Sequence, residues 1–164
     1  MSVGGGVVRS GDGYVELFDG SRRWGLYGAA GVLLRSRLDG EVRYFVAKRS
    51  ARVHLGGVWA VPGGALKEGE PPLSGALREL GEETGLLIAT YDVVGEHHHD
   101  HGVWSYRTFL LDVAEQRFEA STLNWETDEV RWATAQELES LDLLQAFRET
   151  LIALAVLDRG HSYP

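Results

Sequence analysis

Three glutamates with helical spacing, Glu79, Glu82 and Glu83, are the residues of this chain whose types and positions most clearly indicate chemistry. They lie at positions i, i+3 and i+4, so in a helix their carboxylates share one face. Like charges at this spacing cost about 0.2 to 0.5 kcal/mol per pair, and only Arg78 lies beside them. A divalent cation would neutralise the cluster. The alternative is an acidic helix face exposed to solvent, which is common.

The donor atoms of this cluster indicate which cation would bind. Carboxylate oxygens are hard ligands, and the chain has no cysteine to add a soft one. Such donors favour Mg²⁺ or Mn²⁺, and Mg²⁺ usually keeps several waters and shares its coordination with substrate phosphates. We therefore expect a phosphate ester or anhydride as substrate, with Mg²⁺ as the cofactor and Mn²⁺ as the alternative ion.

The glutamates require a helix, and the sequence predicts both of its ends. The N–H groups of the first helical turn have no partner within the helix, so proline, which has no N–H, is favoured there. Pro71 and Pro72 therefore predict a helix start, and Glu70 would lie beside the positive end of the helix dipole. Gly85 favours a helix end, since glycine adopts the left-handed conformation at low cost. The apolar residues of the segment form one stripe that we expect to face the core: Leu73, Ala76, Leu77 and Leu80.

The segment from Gly64 to Leu86 carries a longer pattern, G-x5-E-x7-R-E-L-G-E-E-x-G-L. This pattern resembles the signature of the Nudix (MutT-like) hydrolases and matches it at every defining position. The resemblance covers residues 64–86 of 164 and extends to the flanks, with a strand ending in Gly63 and Gly64 before the box and a glutamate-bearing strand after it. It implies an α/β fold, the Nudix α/β/α sandwich, in which a mixed β-sheet lies between helices.

The resemblance implies roles for the box residues. Glu79, Glu82 and Glu83 would bind the metal and act in catalysis, and the carbonyl oxygen of Gly64 would be a further ligand. A cation held there polarises a phosphoryl oxygen and lowers the pKa of a bound water. Which glutamate acts as the general base is left open by the sequence.

The same resemblance assigns supporting roles around the metal. Arg78 is counted with the catalytic residues because it is expected to pair with Glu70 and to orient the catalytic turn. A surface ion pair is the alternative for this contact. Gly85 and Glu70 are expected to support the box structurally.

A fourth carboxylate often comes from a later strand in this family, and we expect Glu129 to supply it. Glu129 precedes an alternating stretch that ends at Trp132 and predicts a strand. Glu126 and Asp128 lie in the polar stretch before it, where we expect exposure to solvent. Glu129 is therefore predicted to take part in metal binding or water activation.

Candidate substrate contacts lie outside the box. Arg49 and Arg52 precede it and are candidates for bidentate phosphate contacts. Aromatic residues stack on nucleobases with about 1 to 3 kcal/mol per base, although most large aromatics are core residues. The candidates for stacking are Trp24, Tyr27, Trp59, Trp104 and Tyr106, of which we select Trp59 and Tyr106.

The segment from Glu96 to His101, EHHHDH, is dense in possible ligands for Zn²⁺, Cu²⁺ or Ni²⁺. Adjacent side chains of an extended segment point to opposite faces, which opposes a shared metal. We expect an exposed loop between strands. Phosphate or base contacts at the mouth of the site and a dedicated metal site are the alternatives.

The whole chain, residues 1–164, is expected to form a single domain around these residues. A β-hairpin is predicted over about residues 14–24, turned at Asp19-Gly20. Thr134 and Glu137 match a capping box that opens a C-terminal helical region over about residues 135–158, broken near Leu141 and reaching towards Gly160. Further strands are predicted at residues 28–34, 42–48, 88–95, 103–113 and 129–132.

The C-terminal helical region carries an apolar stripe of its own. Its members recur at helical spacing, and we expect them to pack on the chain's own sheet, with a homodimer interface as the alternative. They are Leu144, Phe147, Leu151 and Leu154.

Composition excludes several classes of function. Without cysteine there is no disulfide framework, thiolate metal site or cysteine nucleophile, and isopentenyl diphosphate isomerases, which share the fold, depend on a cysteine as a family. The net charge of −8 opposes binding to a nucleic-acid polymer. The apolar run of residues 151–157 is too short to span a bilayer, and the first residues lack a signal-peptide pattern. We expect a cytoplasmic protein with no membrane partner.

Two functions are consistent with the resemblance. The first is Mg²⁺-dependent hydrolysis of a phosphoanhydride bond in a nucleoside diphosphate linked to a moiety X, such as a nucleoside triphosphate or a nucleotide sugar. The second is a non-catalytic sensor of a nucleotide or ADP-ribose. Sensors commonly lose box carboxylates, and this chain retains all of them, so hydrolysis is predicted. The residues that mark ADP-ribose or dinucleoside polyphosphate branches are not matched, and the substrate stays open.

Overall fold

A seven-stranded mixed β-sheet forms the centre of the computed structural model, which describes residues 7–114 and 123–159. The predicted reach of the last helix towards Gly160 falls outside these residues. The described chain contains the following elements: β1 Tyr14–Glu16, β2 Arg22–Trp24, β3 Ala29–Leu38, β4 Glu41–Arg49, β5 Trp59–Ala60, β6 Gly63–Ala65, α1 Pro72–Thr84, β7 Asp92–Asp100, β8 Ser105–Asp112, β9 Thr127–Ala133, α2 Ala135–Ser140 and α3 Gln145–Ala153.

Strand β3 lies in the middle of the sheet, and β6, which contains Gly63 and Gly64, pairs with it. The main path is β5-β4-β3-β8-β7, while β6 also pairs with β3 and β9 also pairs with β4. The β3–β8 pair is parallel and the other pairs are antiparallel, so the sheet is mixed. Strands β1 and β2 form a separate antiparallel hairpin at the predicted position, with Tyr14 opposite Trp24.

Helices cover both faces of the sheet, which confirms the predicted α/β/α sandwich. On one face the stripe of α1 buries Ala76 and Leu80 against a cluster that contains Phe45. On the other face α3 buries Phe147 and Leu151 against a second cluster of sheet residues. The stripe of α3 therefore packs on the chain's own sheet, as predicted.

The ends of α1 agree with the sequence. The helix begins at Pro72 and ends before Gly85, which has φ 73° and donates its N–H to the carbonyl of Gly81. Glycine tolerates this left-handed conformation, whereas a side chain would be strained there.

The C-terminal helical region is shorter than predicted. The capping box of Thr134 and Glu137 is present, and the break at Leu141 is confirmed. However, α3 ends at Ala153 rather than near residue 158, because Ala155 turns the chain with φ 56°. Within residues 7–114 and 123–159, no helix is long and apolar enough to cross a membrane.

The histidine segment is not the exposed loop that we expected. Strand β7 runs from Asp92 to Asp100 and includes His97, His98 and His99, whereas residues 88–91, predicted as strand, lie outside it. The segment is extended because it pairs with β8, with His99 opposite Tyr106. The loop prediction is therefore wrong.

Candidate functional site

The guanidinium of Arg78 fixes the segment before α1 to the helix. Its Nε and Nη2 donate to the two carboxylate oxygens of Glu70 at 2.7 and 3.0 Å, and Nη2 also donates to the carbonyl of Ala65 at 3.0 Å. The carboxylate of Glu70 raises the pKa of Arg78, and the hydrogen bonds from Arg78 lower the pKa of Glu70. The predicted pairing of Arg78 with Glu70 is present.

The remaining nitrogen of Arg78 contacts two of the three box glutamates. Nη1 donates to Glu79 at 2.9 Å and to Glu82 at 3.0 Å. The carboxylates are thus held on one face of α1, as the spacing predicts, and one cation already offsets part of their repulsion. The side chain of Glu82 is 53% exposed, whereas that of Glu79 is 16% exposed.

Gly64 lies directly against the carboxylate of Glu79. A Cβ on Gly64 would come within 2.6 Å of the Glu79 carboxylate carbon, so any side chain at this position would displace the glutamate. Burial raises the pKa of Glu79, although Arg78 acts in the opposite direction. The backbone of β6 at Gly64 and the carboxylate of Glu79 are therefore in direct contact. We call this contact the cradle at Gly64, and it is consistent with the prediction that both residues belong to the metal site.

Glu83 is the most buried acid of the cluster. Its side chain accepts a hydrogen bond from the N–H of Gly63 at 3.3 Å, and the residue is only 8% exposed. Burial, followed by the charges of Glu79 and Glu126, raises the pKa of Glu83 to about 8. A carboxyl that is buried among other carboxyls ionises readily only when a cation compensates it.

The donor set fits a hard divalent cation. Glu79, Glu82 and Glu83 offer carboxylate oxygens only, and the absence of a side chain at Gly64 lets the carboxylate of Glu79 lie directly against the backbone of β6. In the part of the chain that the structure describes, no three such groups already converge on one point. Arg78 holds Glu79 and Glu82, while Glu83 is bonded to Gly63.

A small cleft opens beside Glu83, and Glu126 is the acid that lines it from the later part of the chain. Its charge raises the pKa of both Glu83 and Glu79. The position of Glu126 is fixed by its backbone, which accepts from Ser50 at 2.8 Å and donates to the side chain of Asn124 at 2.9 Å. The cleft is lined by Ala47, Arg49, Val53, Val61, Glu83, Glu126 and Thr127.

The structure does not bring Glu129 to this site, which corrects our prediction. Residues of β9 alternate between the faces, and Val130 and Trp132 pack on the cluster beneath α1. Glu129 therefore points to the face of α2 and α3, where it accepts a hydrogen bond from Arg131 at 3.0 Å. The acid that we had expected to be merely solvated, Glu126, takes the position next to Glu83.

The two candidate arginines differ in position. Arg49 lines the cleft, and its Nε and Nη2 donate to the carbonyls of Leu55 and His54 at 3.2 and 2.8 Å. Arg52 is exposed in the following turn, where its backbone N–H donates to Ser50. Only Arg49 is therefore placed next to the glutamates.

The two candidate aromatics do not stack at the cleft. Trp59 is 5% exposed within the cluster beneath α3, and the guanidinium of Arg131 lies 4.9 Å from its ring centre, so the stacking prediction for Trp59 is wrong. Tyr106 places its hydroxyl against Gly31 and Gly63, where a Cβ on either glycine would collide with it. Burial and the charge of Glu83 raise the pKa of Tyr106. Tyr106 thus supports the backbone behind the site.

Comparison with known proteins agrees with the geometry. A family model of the NUDIX domain matches residues 26–155. A crystal structure of a Nudix hydrolase from M. smegmatis, RenU, has a TM-score of 0.79 and 32% identity, and the alignment covers 88% of this chain and 93% of that one.

Two curated relatives are similar in sequence. The putative 8-oxo-dGTP diphosphatase 3 of Mycobacterium tuberculosis is 37% identical over 86% of this chain and 67% of its own length. A nucleoside triphosphate pyrophosphatase/Nudix hydrolase fusion protein of Bifidobacterium longum is 36% identical over 87% of this chain. The chain spans only 30% of the length of that fusion protein.

Proposed function

The chain belongs to the Nudix hydrolase family, and on this premise we propose that it is a pyrophosphohydrolase that requires a divalent cation. Its substrate would be a nucleoside diphosphate linked to a moiety X. The observation that carries the proposal is the complete set of box carboxylates, arranged around Arg78 and against Gly64. A sensor without turnover has no need of all these acids, so hydrolysis is the better-supported function.

We assign the metal ligands to the box. Glu79, Glu82 and Glu83, with the carbonyl oxygen of Gly64, are the proposed ligands, and their hard oxygens favour Mg²⁺ with Mn²⁺ as the alternative. When bound, such an ion polarises a phosphoryl oxygen and makes a bound water more acidic. Glu126, which lines the same cleft as Glu83, replaces Glu129 as the proposed fourth carboxylate.

The chain's own residues supply orientation and charge around this centre. Arg78 holds the segment of Glu70 and Ala65 against α1, which keeps the cradle at Gly64 in place. Arg49 is the cation that lines the cleft, and we assign it to a phosphate of the substrate.

The relatives favour a nucleoside triphosphate over a nucleotide sugar as substrate. One is named a putative 8-oxo-dGTP diphosphatase, and another combines a nucleoside triphosphate pyrophosphatase with a Nudix hydrolase. Attack on a nucleoside triphosphate would release a monophosphate and pyrophosphate. Attack on a nucleotide sugar would release two phosphate monoesters.

A product screen tests the proposal. The wild-type protein is incubated with nucleoside triphosphates, 8-oxo-dGTP, ADP-ribose and diadenosine polyphosphates in Mg²⁺, in Mn²⁺ and in EDTA, and the products, including pyrophosphate, phosphate and nucleotide monophosphates, are separated and quantified. We expect turnover of nucleoside triphosphates with either metal and none in EDTA. Binding of ADP-ribose without turnover of any compound would instead support the sensor function.

A further inference from the structure

A turn directly before β9 carries Glu126, and Asn124 is the first residue of that turn. The N–H of Thr127 donates to the carbonyl of Asn124 at 3.2 Å, and the N–H of Glu126 donates to the side-chain Oδ1 of Asn124 at 2.9 Å. Asparagine is favoured at the first position of a β-turn because its short side chain accepts a hydrogen bond from the backbone two residues further on. The side chain of Asn124 therefore fixes the backbone from which the carboxylate of Glu126 projects.

The backbone of Asn124 attaches the same turn to helix α1. Its N–H donates to the carbonyl oxygen of Glu83 at 3.0 Å. The last carbonyls of a helix have no partner within the helix, and Glu83 is the residue before the last one of α1. Glu83 and Glu126 both line the cleft, and both are bonded through their backbones to Asn124. One asparagine thus connects two acids that come from different elements of the fold.

The pairing of β9 with β4 is irregular just beside this turn. The register shifts between Lys48 and Arg49, which leaves Asp128 as an extra residue of β9. The carboxylate of Asp128 accepts from the N–H of Ala51 at 3.3 Å. A bulge of this kind bends the strand and interrupts its hydrogen-bond ladder. Pairing with β4 alone therefore does not set the position of Glu126 relative to α1.

We propose that Asn124 is a positioning residue that sets the separation of the Glu83 and Glu126 carboxylates and thereby the affinity of the cleft for its divalent cation. The inference rests on the proposed function, in which both acids belong to the metal site. Mg²⁺ demands a near-ideal octahedral arrangement of its ligands, so a shift of one carboxylate weakens binding. Loss of a group that orients a metal ligand typically lowers metal affinity by about 10- to 100-fold. Asn124 acts through the backbone of the two acids.

Two substitutions of Asn124 and one matched control test this role. Asn124→Ala removes the side-chain acceptor and leaves the backbone N–H that contacts Glu83. Asn124→Ser returns a neutral acceptor, which makes the same kind of turn more weakly. Asp19→Ala is the control, because Oδ1 of Asp19 accepts from the N–H of Ser21 at 2.9 Å. This is the same two-residue contact, in the hairpin of β1 and β2, to which we assign no role in the site.

The first measurement is the affinity of the metal-free proteins for Mn²⁺ by titration calorimetry. The second is the rate of nucleoside triphosphate hydrolysis as the metal concentration is raised. We expect Asn124→Ala to raise the Kd for Mn²⁺ by about 10-fold and to recover most of the wild-type kcat at saturating metal. Asn124→Ser should be intermediate, and Asp19→Ala should stay within about two-fold of wild type. A wild-type Kd in Asn124→Ala would overturn the proposal even if the Tm fell, because the residue would then only stabilise the turn.

A double-mutant cycle tests whether Asn124 acts through Glu126. The effect of Asn124→Ala on the Kd for Mn²⁺ should disappear when Glu126 is already replaced by glutamine, so the double variant should bind Mn²⁺ as Glu126→Gln does. Independent effects of the two substitutions, which multiply in the double variant, would overturn the proposal. Asn124→Ser carries the same comparisons if the alanine variant does not fold.

The outcomes distinguish this role from the proposed function. A wild-type protein that binds Mn²⁺ but hydrolyses none of the nucleotides would contradict the proposed function, while the calorimetric cycle would still decide the role of Asn124. Hydrolysis by wild type, together with a Kd for Mn²⁺ that neither Glu126→Gln nor Asn124→Ala changes, would leave the function standing and overturn the role of Asn124. A wild-type protein that does not bind Mn²⁺ would overturn it as well.

Discussion

Arg78 explains how Glu79 and Glu82 can share one helix face before any cation binds. Its guanidinium contacts Glu70, Glu79 and Glu82 simultaneously, and it is largely shielded from solvent. The planar fork is required for this, because a lysine would present a single point charge. Among the described residues, Glu83 lacks this contact, and burial, followed by the charges of Glu79 and Glu126, raises its pKa to about 8.

The position of Glu126 leads to a prediction that compares two acids of the same segment. We expect Glu126→Gln to lower kcat by about 10- to 100-fold, because it removes a carboxylate that lines the cleft of Glu83. Glu129→Gln is the matched control and should stay within about two-fold, since its carboxylate is bonded to Arg131 on the other face. The measurement is steady-state hydrolysis of a nucleoside triphosphate with Mg²⁺. A large loss in Glu129→Gln with none in Glu126→Gln would restore the sequence-based assignment.

The arrangement of the box residues was predictable from the sequence, because they lie within one helix and the segments that flank it. Glu79, Glu82 and Arg78 meet through helical periodicity, which is a local property of the sequence. The fourth carboxylate was not predictable in this way, since Glu126 lies just before its strand and is oriented by a backbone contact with Ser50, far away in sequence. Trp59 was misassigned because aromatic type alone does not distinguish a core residue from a stacking platform.

At the scale of elements, the site depends on the close approach of β6 to α1. Both flank the central strand β3, and Gly63 and Gly64 allow the backbone of β6 to come next to the carboxylates of the helix. Helix α1 therefore needs glycine opposite Glu79, and it needs its start and end fixed by Pro72 and Gly85.

This close approach predicts opposite effects of two glycine substitutions. Gly64→Ala should lower kcat by about 10-fold or more, because the new methyl group would come within 2.6 Å of the Glu79 carboxylate carbon. Gly81→Ala, within α1, is the control. Its Cβ would lie 3.2 Å from the flexible side chain of Leu87 and 3.9 Å from the carbonyl oxygen of Leu86, an ordinary contact distance, and alanine favours a helix by about 0.5 to 1 kcal/mol. Activity assays and thermal unfolding of both variants check this. Full activity in Gly64→Ala would mean that the cradle is not required.

The strands show what local pattern can and cannot predict. β3 and β4 were recognised because apolar runs flank a turn at Asp39 and Gly40. The part of β7 that contains the histidines was predicted as a loop, because a run of polar residues does not by itself indicate a strand. These residues become extended because β8 pairs with them and α3 contacts them. Such contacts depend on residues about 50 positions away, as for His97 with Thr150.

The molecule as a whole buries the carboxyl group of Glu83 among other carboxylates. The chain carries a net charge of −8, and Glu83 lies in its interior with other carboxylates around it. If Glu83 binds the metal as we propose, this one residue links the stability of the metal-free protein to the activity of the metal-bound protein.

The link predicts how stability depends on pH. The pKa of Glu83 rises from 4.5 to about 8 on folding, so below pH 4.5 the group is protonated in both states and has no effect. Between these values the unfolded chain ionises first and is stabilised, so metal-free protein should lose stability as pH rises from about 5 to 8. We expect Glu83→Gln to be less sensitive and to unfold at least about 2 °C higher than wild type at pH 8.

Thermal unfolding at pH 5 and pH 8, with and without Mg²⁺, measures this effect. Added Mg²⁺ should raise the Tm of wild type at pH 8, because a ligand that binds only the folded state stabilises it, and should raise that of Glu83→Gln less. An equal difference in Tm between the two proteins at both pH values would contradict the role of Glu83.

We propose that the glutamate face of α1 carries out metal-dependent hydrolysis of a phosphoanhydride bond. The most direct test is the steady-state rate of Mg²⁺-dependent release of pyrophosphate from nucleoside triphosphate by wild type, Glu82→Gln and Glu68→Gln. Glu82 is 53% exposed, so its variant should fold normally, and Glu68 is an exposed acid that none of the described site contacts involves. We predict a loss of about 100-fold or more in Glu82→Gln and a change within about two-fold in Glu68→Gln. A Glu82→Gln protein that is as active as wild type would contradict the claim.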